Sequence, residues 1–205
     1  MNYRCFVIGD FMTNCYLIWS QNEAAVIDPG GHPDIVIQTI NDQHLKLKWI
    51  LNTHGHVDHI FGNEALHKAF GAPILIHQAD HMMLTSPREN YSIFMGPPVK
   101  SPDAERTLND GDILTLGTEE FTVIETPGHT PGGVSIYTPG YLFCGDTMFH
   151  ESIGRTDLPG GNYHQLVTAI KKRLLTLPAD TVVLPGHQGQ TTIGHEMKYN
   201  PFIIS

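Results

Sequence analysis

The chain has 205 residues and carries 12 Lys and Arg against 21 Asp and Glu, a formal net charge of −9, together with 13 histidines. This length suits one domain with a sizeable core, and an acidic balance with scattered cations argues against nucleic acid as a partner. No run of about 18 apolar residues is present to span a membrane, and Cys5, Cys15 and Cys144 sit singly in apolar runs, as buried free thiols of a reducing compartment do.

Residues 1–205 are therefore expected to form a single domain, cytoplasmic and without membrane contact. Gly9-Asp10 interrupts the first apolar run, so no signal peptide is expected. Short β-rich runs at 4–8 (RCFVI), 14–19 (NCYLIW) and 24–28 (AAVID) read as strands, the last closed by the turn signal Pro29-Gly30-Gly31. Residues 33–44 suit a helix. LKWILNT then reads as a strand, HIFGNEALHKAFG as a helix stopping at Gly71, and PILIH as a strand again. The segment Thr85 to Arg106 has four prolines and no period, and is expected to be a long loop covering the site with Tyr91, Phe94 and Met95. DILTLG, FTVIET, GVSIY and YLFCG follow as closely spaced strands, then a helix over 162–176, a strand at TVVLP and a last helix near 191–199. Strands with helices interspersed unevenly point to an α+β fold, two packed sheets covered by helices.

The stretch NTHGHVDH, residues 52–59, places His54, His56, Asp58 and His59 directly after a strand. In an extended segment, positions i and i+2 project to the same side, so His54 and His56 can converge on one point. Asp58 and His59 fall where the next helix begins and can face a second point close by. Three more donors stand at strand exits beside Gly or Pro: His129 in TPGHT, Asp146 in CGDT and His187 in LPGHQ. If those strands end along one edge, seven donors meet. So many packed donors would repel or compete unless a cation held them, which makes a metal site the better reading. The other histidines take plainer readings: His67 lies on a helix, His44 before a basic pair, His77 and His81 in a helix-like stretch near the loop, and His32, His150, His164 and His195 have no companion donors at useful spacing.

THGHVDH followed by a separate Gly-His, Gly-Asp and Gly-His resembles the metallo-β-lactamase superfamily, from about Asn14 to the C-terminus. The resemblance implies a four-layer αββα sandwich of two mixed β-sheets flanked by helices. It further implies that His54, His56 and His129 bind one metal, that Asp58, His59 and His187 bind another, and that Asp146 bridges them. VIDPGG is similar to the family's opening motif, which makes Asp28 a support for the His54–His59 loop. Nitrogen and carboxylate donors without thiolate suit zinc, and also iron or manganese. Two such ions about 3.5–4 Å apart can share a hydroxide, generated near neutral pH because binding lowers the pKa of water to about 7. Asp58 and Asp146 are the carboxylates expected to take part in the chemistry.

GDTMFHESIGRTDLPGG and PGHQGQTTIGHEMKYNPF resemble the glyoxalase II-like branch, the hydroxyacylglutathione hydrolases and their short relatives. That implies hydrolysis of a small-molecule thioester. Zinc β-lactamases of the best-known subclass carry a cysteine where this chain has Asp146, which argues against that activity. Full-length glyoxalase II has a C-terminal helical domain that holds much of the glutathione, whereas 18 residues follow His187 here. Arg155 is then the candidate clamp for a substrate carboxylate, against the plainer reading of a surface arginine paired with Asp157. The alternative function is that of persulfide dioxygenases, which share the ligand motifs and a Gly-Arg-Thr-Asp stretch like residues 154–157; there the resemblance implies a single non-haem iron.

Overall fold

In the computed structural model of the chain, which describes residues 1–204, the strand-forming runs build two six-stranded mixed sheets. The first contains β1 (Asn2–Ile8), β2 (Thr13–Ser20), β3 (Glu23–Ile27), β4 (Lys46–Leu51), β5 (Ile74–His77) and β6 (Arg106–Leu108), neighbours in that order. β1 to β3 pair antiparallel, and β3 to β6 pair parallel. The second sheet has the order β14 (Thr191–Thr192), β13 (Val182–Pro185), β10 (Tyr141–Gly145), β9 (Val134–Thr138), β8 (Glu119–Glu125) and β7 (Ile113–Leu116). A separate hairpin joins β11 (Met148–Phe149) to β12 (Ser152–Ile153).

The layering follows from side-chain alternation. Along β2, Tyr16 and Ile18 turn toward the second sheet and share a buried cluster with Trp49, Leu75, Phe121, Ile136 and Phe143. Cys15 and Leu17 point the other way, into a cluster with Val36 and Ile40 of α1 (Asp34–Asp42) and Leu66 of α3 (Asn63–Phe70). On the outer face of the second sheet, Leu142, Cys144 and Val183 pack on Leu166 of α6 (Tyr163–Ala169) and Ile193 of α7 (Ile193–Tyr199). The order is helix, sheet, sheet, helix, the expected four layers. With both faces buried, the central strands cannot alternate apolar with polar, which is why they read as continuous apolar runs.

Several local expectations are corrected. The helix read over 59–71 is two, α2 (Val57–Ile60) and α3, separated at Phe61-Gly62. Gly62 donates its N–H to Pro29 O at 2.6 Å, outside the helix, and a Cβ there would come within 2.7 Å of Gly31 O, so the helical hydrogen-bond ladder is interrupted where the Pro29-Gly31 turn packs against it. The helix over 162–176 becomes π-helical at Ile170–Leu174. β6, β11, β12 and β14 were not legible, being two or three residues long. Residues 78–85 form a 3-10 turn and α4 (His81–Thr85), and the segment 85–106 contains the short α5 (Ser92–Met95). That segment is fastened at its base: Val57 N–H donates to Asn90 O (3.0 Å), and Asn90 Nδ2 donates to Met83 O (2.9 Å) and Val99 O (3.0 Å). Cys15 and Cys144 are buried free thiols, but Cys5, on the edge strand β1, is exposed.

Candidate metal centre

The seven donors follow the ends of β4, β8, β10 and β13, strands that run in a common sense within their sheets and finish along one edge. The two sheets are tied together at that edge by backbone hydrogen bonds, Val134 N–H to Thr53 O (2.9 Å) and Asn14 N–H to Gly186 O (2.7 Å). Asn14 Nδ2 adds bonds to Pro185 O and Gln188 O, both 2.9 Å, which fix the turn bearing His187. At Gly186 any Cβ would overlap Asp146 Oδ1, so a glycine is required for this turn to lie against the site.

The donors fall into overlapping groups of three, His54/His56/His129, His54/His59/Asp146 and Asp58/His59/His187, with one ligand atom per residue lying within 4.8 Å of the others in its group. His54 and His56 do not lie on a strand, since β4 stops at Leu51, yet their rings meet at 4.8 Å between centroids. His56 Nδ1 and His129 Nε2 are 3.0 Å apart. His187 Nε2 is 3.2 Å from Asp58 Oδ2. Asp146 reaches donors on both sides, with Oδ1 3.4 Å from His59 Nε2, and Oδ2 3.7 Å from His129 Nε2 and 3.6 Å from His187 Nε2.

Whether the set fits a cation can be judged from its hydrogen bonds. His54 Nε2, His59 Nε2 and Asp146 Oδ1 are buried and have no hydrogen-bond partner. Such atoms are costly to bury unless something satisfies them. The protonation pattern agrees. Burial, reinforced by neighbouring imidazoles, pushes His54 well down and His56 to about 3, so both offer free lone pairs. Burial also opposes charge on His59, but Asp146, Asp28 and Asp58 outweigh it and hold that imidazole well above its usual value. Burial favours the acid forms of Asp146 and Asp58 as well, yet the nearby histidines, His59 foremost, keep both carboxyls below the usual range. Without metal, a proton on His59 thus occupies the place in the charge balance that a dication fits better.

The surrounding residues orient the donors. Asp28 accepts from Thr53 N–H and Thr53 Oγ1, each at 2.7 Å, and its Oδ2 lies 3.0 Å from His59 Nδ1, a charge contact rather than an aligned hydrogen bond. Asp28 itself has a φ of 51°, unusual for a residue with a side chain. His129 Nδ1 lies 2.8 Å from the backbone oxygen of Arg155, which presents Nε2 to the site. Arg155 lines the cavity above the donors, and its guanidinium is bound in two places by Asp157, Nε to Oδ1 and Nη2 to Oδ2, both 2.8 Å. Sequence reading missed Asp80. Fully buried, it accepts from Gly55 N–H (3.1 Å), Thr130 Oγ1 (2.7 Å) and Gly132 N–H (2.7 Å), and so joins the loop of His54 and His56 to that of His129. It lies in the helix-like stretch after PILIH, where only its burial sets it apart from a surface carboxylate.

Above the donors lies a cavity of about 220 Å³ whose wall includes Phe11, Tyr91, Met95, Arg155 and Leu158. A neighbouring cavity of about 210 Å³ shares Phe11, Val57, Asp58 and Met95 with it and is further lined by Phe61 and Val99. Tyr91 stacks edgewise on His56 at 5.3 Å, while Phe94 is exposed rather than turned inward. Among the described residues no helix is long and apolar enough to cross a membrane.

Comparison with known proteins agrees with this geometry. The metallo-β-lactamase superfamily model matches residues 8–187. The hydroxyacylglutathione hydrolase GloC of Haemophilus influenzae is 38% identical over 210 residues, covering 100% of this chain and 99% of that one. Among solved structures, the BLEG-1 B3 metallo-β-lactamase superposes with a TM-score of 0.94 at 37% identity over 100% of both chains. TTHA1623, solved in a di-iron-bound form, gives a TM-score of 0.86 at 33% identity over 97% of this chain and 99% of its own. The family match, the two mixed sheets flanked by helices and the His/Asp clusters at their edge agree: the chain belongs to the metallo-β-lactamase superfamily.

Proposed function

We propose that the chain is a two-metal hydrolase of small-molecule thioesters, of the hydroxyacylglutathione kind. The observation that carries this reading is the position of Asp146, within 3.4 to 3.7 Å of His129 on one side and of His59 and His187 on the other. On this reading His54, His56 and His129 hold one divalent cation, Asp58, His59 and His187 hold the other, and Asp146 joins the two. Zinc is the proposed metal, with iron and manganese suited to the same thiolate-free donors. When bound, the pair activates water near neutral pH and offsets the charge that develops on an attacked carbonyl oxygen.

The chain's own groups supply the rest. Asp58, kept anionic by His59 and His187 and facing both cavities, is placed to take the proton of the attacking water. Attack on the acyl carbon breaks the C–S bond and releases a thiolate. Because a thiol has a pKa of about 8.5, that departure needs no strong general acid. The apolar walls at Phe11, Phe61 and Met95 suit the acyl half. Arg155 stands where a carboxylate on the thiol half would lie, provided it leaves Asp157. The single-iron oxygenase alternative would use only part of the same gathered donors, so the number of metal ions per chain separates the two readings.

The test is metal analysis of untagged protein, followed by assays of thiol release from a hydroxyacylglutathione and from an acyl thioester of an uncharged thiol. A β-lactam, prompted by the name of the similar BLEG-1 structure, and a persulfide under oxygen are run alongside. The expected result is thiol release that chelation abolishes and zinc restores. Ring opening of the β-lactam or oxygen uptake, with no thiol released from either thioester, overturns the proposal.

A further inference from the structure

His150 and His195, expected to lack companion donors, have one in Glu151. His150 and Glu151 form the two-residue turn between β11 and β12, closed by the Phe149 and Ser152 pair. Glu151 has a φ of 54°, a left-handed conformation in which glycine is the easy choice. A carboxylate kept there projects toward α7. His195 Nε2 lies 3.0 Å from Glu151 Oε1, and His150 Nε2 lies 3.9 Å from that same oxygen. The two imidazoles are stacked, with centroids 4.7 Å apart and planes at 23°. One ligand atom from each of the three residues falls within a 4.8 Å group, and none of the three belongs to the seven-donor centre.

The arrangement is held from below. The N–H of Glu151 donates to Glu196 Oε2 at 2.9 Å, and the fully buried Glu196 also accepts from Thr191 Oγ1 (2.6 Å) and Asn200 Nδ2 (2.7 Å). Asn200 Nδ2 donates in addition to Ser152 O at 2.9 Å. The turn and the helix, 44 residues apart between Glu151 and His195, are thereby locked in register before any ligand arrives. Tyr199 packs its ring 4.8 Å from that of His195. A single histidine would satisfy one exposed glutamate. Two imidazoles stacked beside one carboxylate oxygen repel each other when both are protonated, whereas a dication can take lone pairs from all three once the exposed His150 ring turns out of the stack.

We propose that His150, Glu151 and His195 form a surface site for a divalent transition-metal cation, separate from the centre at the sheet edge. Two imidazole nitrogens and one carboxylate, partly exposed so that water completes the shell, are the ligand chemistry of zinc, nickel or copper rather than of magnesium or calcium.

The experiment uses the untagged full chain with its main centre already filled and titrates it with Zn2+ by equilibrium dialysis in an excess of Mg2+. The native protein is expected to take up one further equivalent. His195→Ala and Glu151→Gln should weaken that equivalent at least tenfold while keeping the metals of the main centre. His150→Gln, in an exposed turn where folding is not at stake, should do the same, and the folding of the other two is checked by their melting curves. Added Cu2+ should also give a nitrogen-coordinated paramagnetic signal that His195→Ala removes. Equal stoichiometry and affinity in the native chain and in His150→Gln, or an additional equivalent that Mg2+ displaces, would overturn the site.

Discussion

Oδ2 of Asp28 lies 3.0 Å from Nδ1 of His59, although the two stand 31 positions apart in the chain. The same carboxylate holds Thr53 through its N–H and its hydroxyl, so one side chain fixes both the start of the His54–His59 loop and the ring at its end.

Asp28→Asn is therefore expected to lower metal affinity by about 10- to 100-fold, as the loss of a carboxylate behind a ligating histidine does. A competition titration against a chelating dye measures this. Unchanged affinity would mean that the pairing matters only for folding.

Asp146→Asn should reduce the occupancy of both metal positions together with turnover, because a neutral amide is a poorer partner for two cations than the carboxylate. Full metal content with an unchanged rate would remove Asp146 from the bridging role.

Asp80 links two ligand loops through three hydrogen bonds, and its carboxyl is pushed up by burial, with those bonds only partly offsetting the effect. Asp80→Ala leaves three buried donors unsatisfied and is expected to cost about 3 kcal/mol or more of stability, at about 1–3 kcal/mol for each unmade bond. Thermal or denaturant melts read it directly; a loss within error of zero would show that water replaces the carboxylate.

Arg155→Ala is expected to cut kcat/KM for glutathione thioesters by roughly one to two orders of magnitude, through KM, and to leave a thioester of an uncharged thiol nearly unaffected. The pairing with Asp157 adds a second arm. If the guanidinium must leave Asp157 to meet substrate, Asp157→Ala should lower KM for the same glutathione thioesters. Equal losses on both thioesters in Arg155→Ala would mean that the residue is no clamp.

The metal-stripped chain should show an acid sensitivity to which His56 contributes alongside His54. The folded pKa of His56, about 3, lies below the ordinary 6.5, because burial and His129 disfavour its charge. Between those values the unfolded chain holds a proton that the folded chain does not. Stability therefore falls as pH drops from about 6.5 toward about 3. Metal-stripped His56→Gln should lack this component, so the stability difference between the two proteins should change across that window. A difference independent of pH would contradict the assignment.

The sequence by itself singled out the seven side chains that the fold gathers, since close spacing in NTHGHVDH and a His or Asp at each of three strand exits are local features of the chain. It also determined the sheet-rich layout, because strands buried on both faces are written as continuous apolar runs. Tertiary structure alone decided the rest. The break at Gly62 accompanies a hydrogen bond from its N–H to Pro29 O, a contact between segments that local propensity cannot contain. Asp80 and Glu196 look like surface carboxylates until packing buries them and hands them their donors. The cluster of His150, Glu151 and His195 exists only because a short hairpin is locked onto the last helix. Local pattern reports which face a residue turns to the core, but the meeting of side chains from distant segments depends on how sheets and helices pack, and that is set by the summed burial of the whole chain.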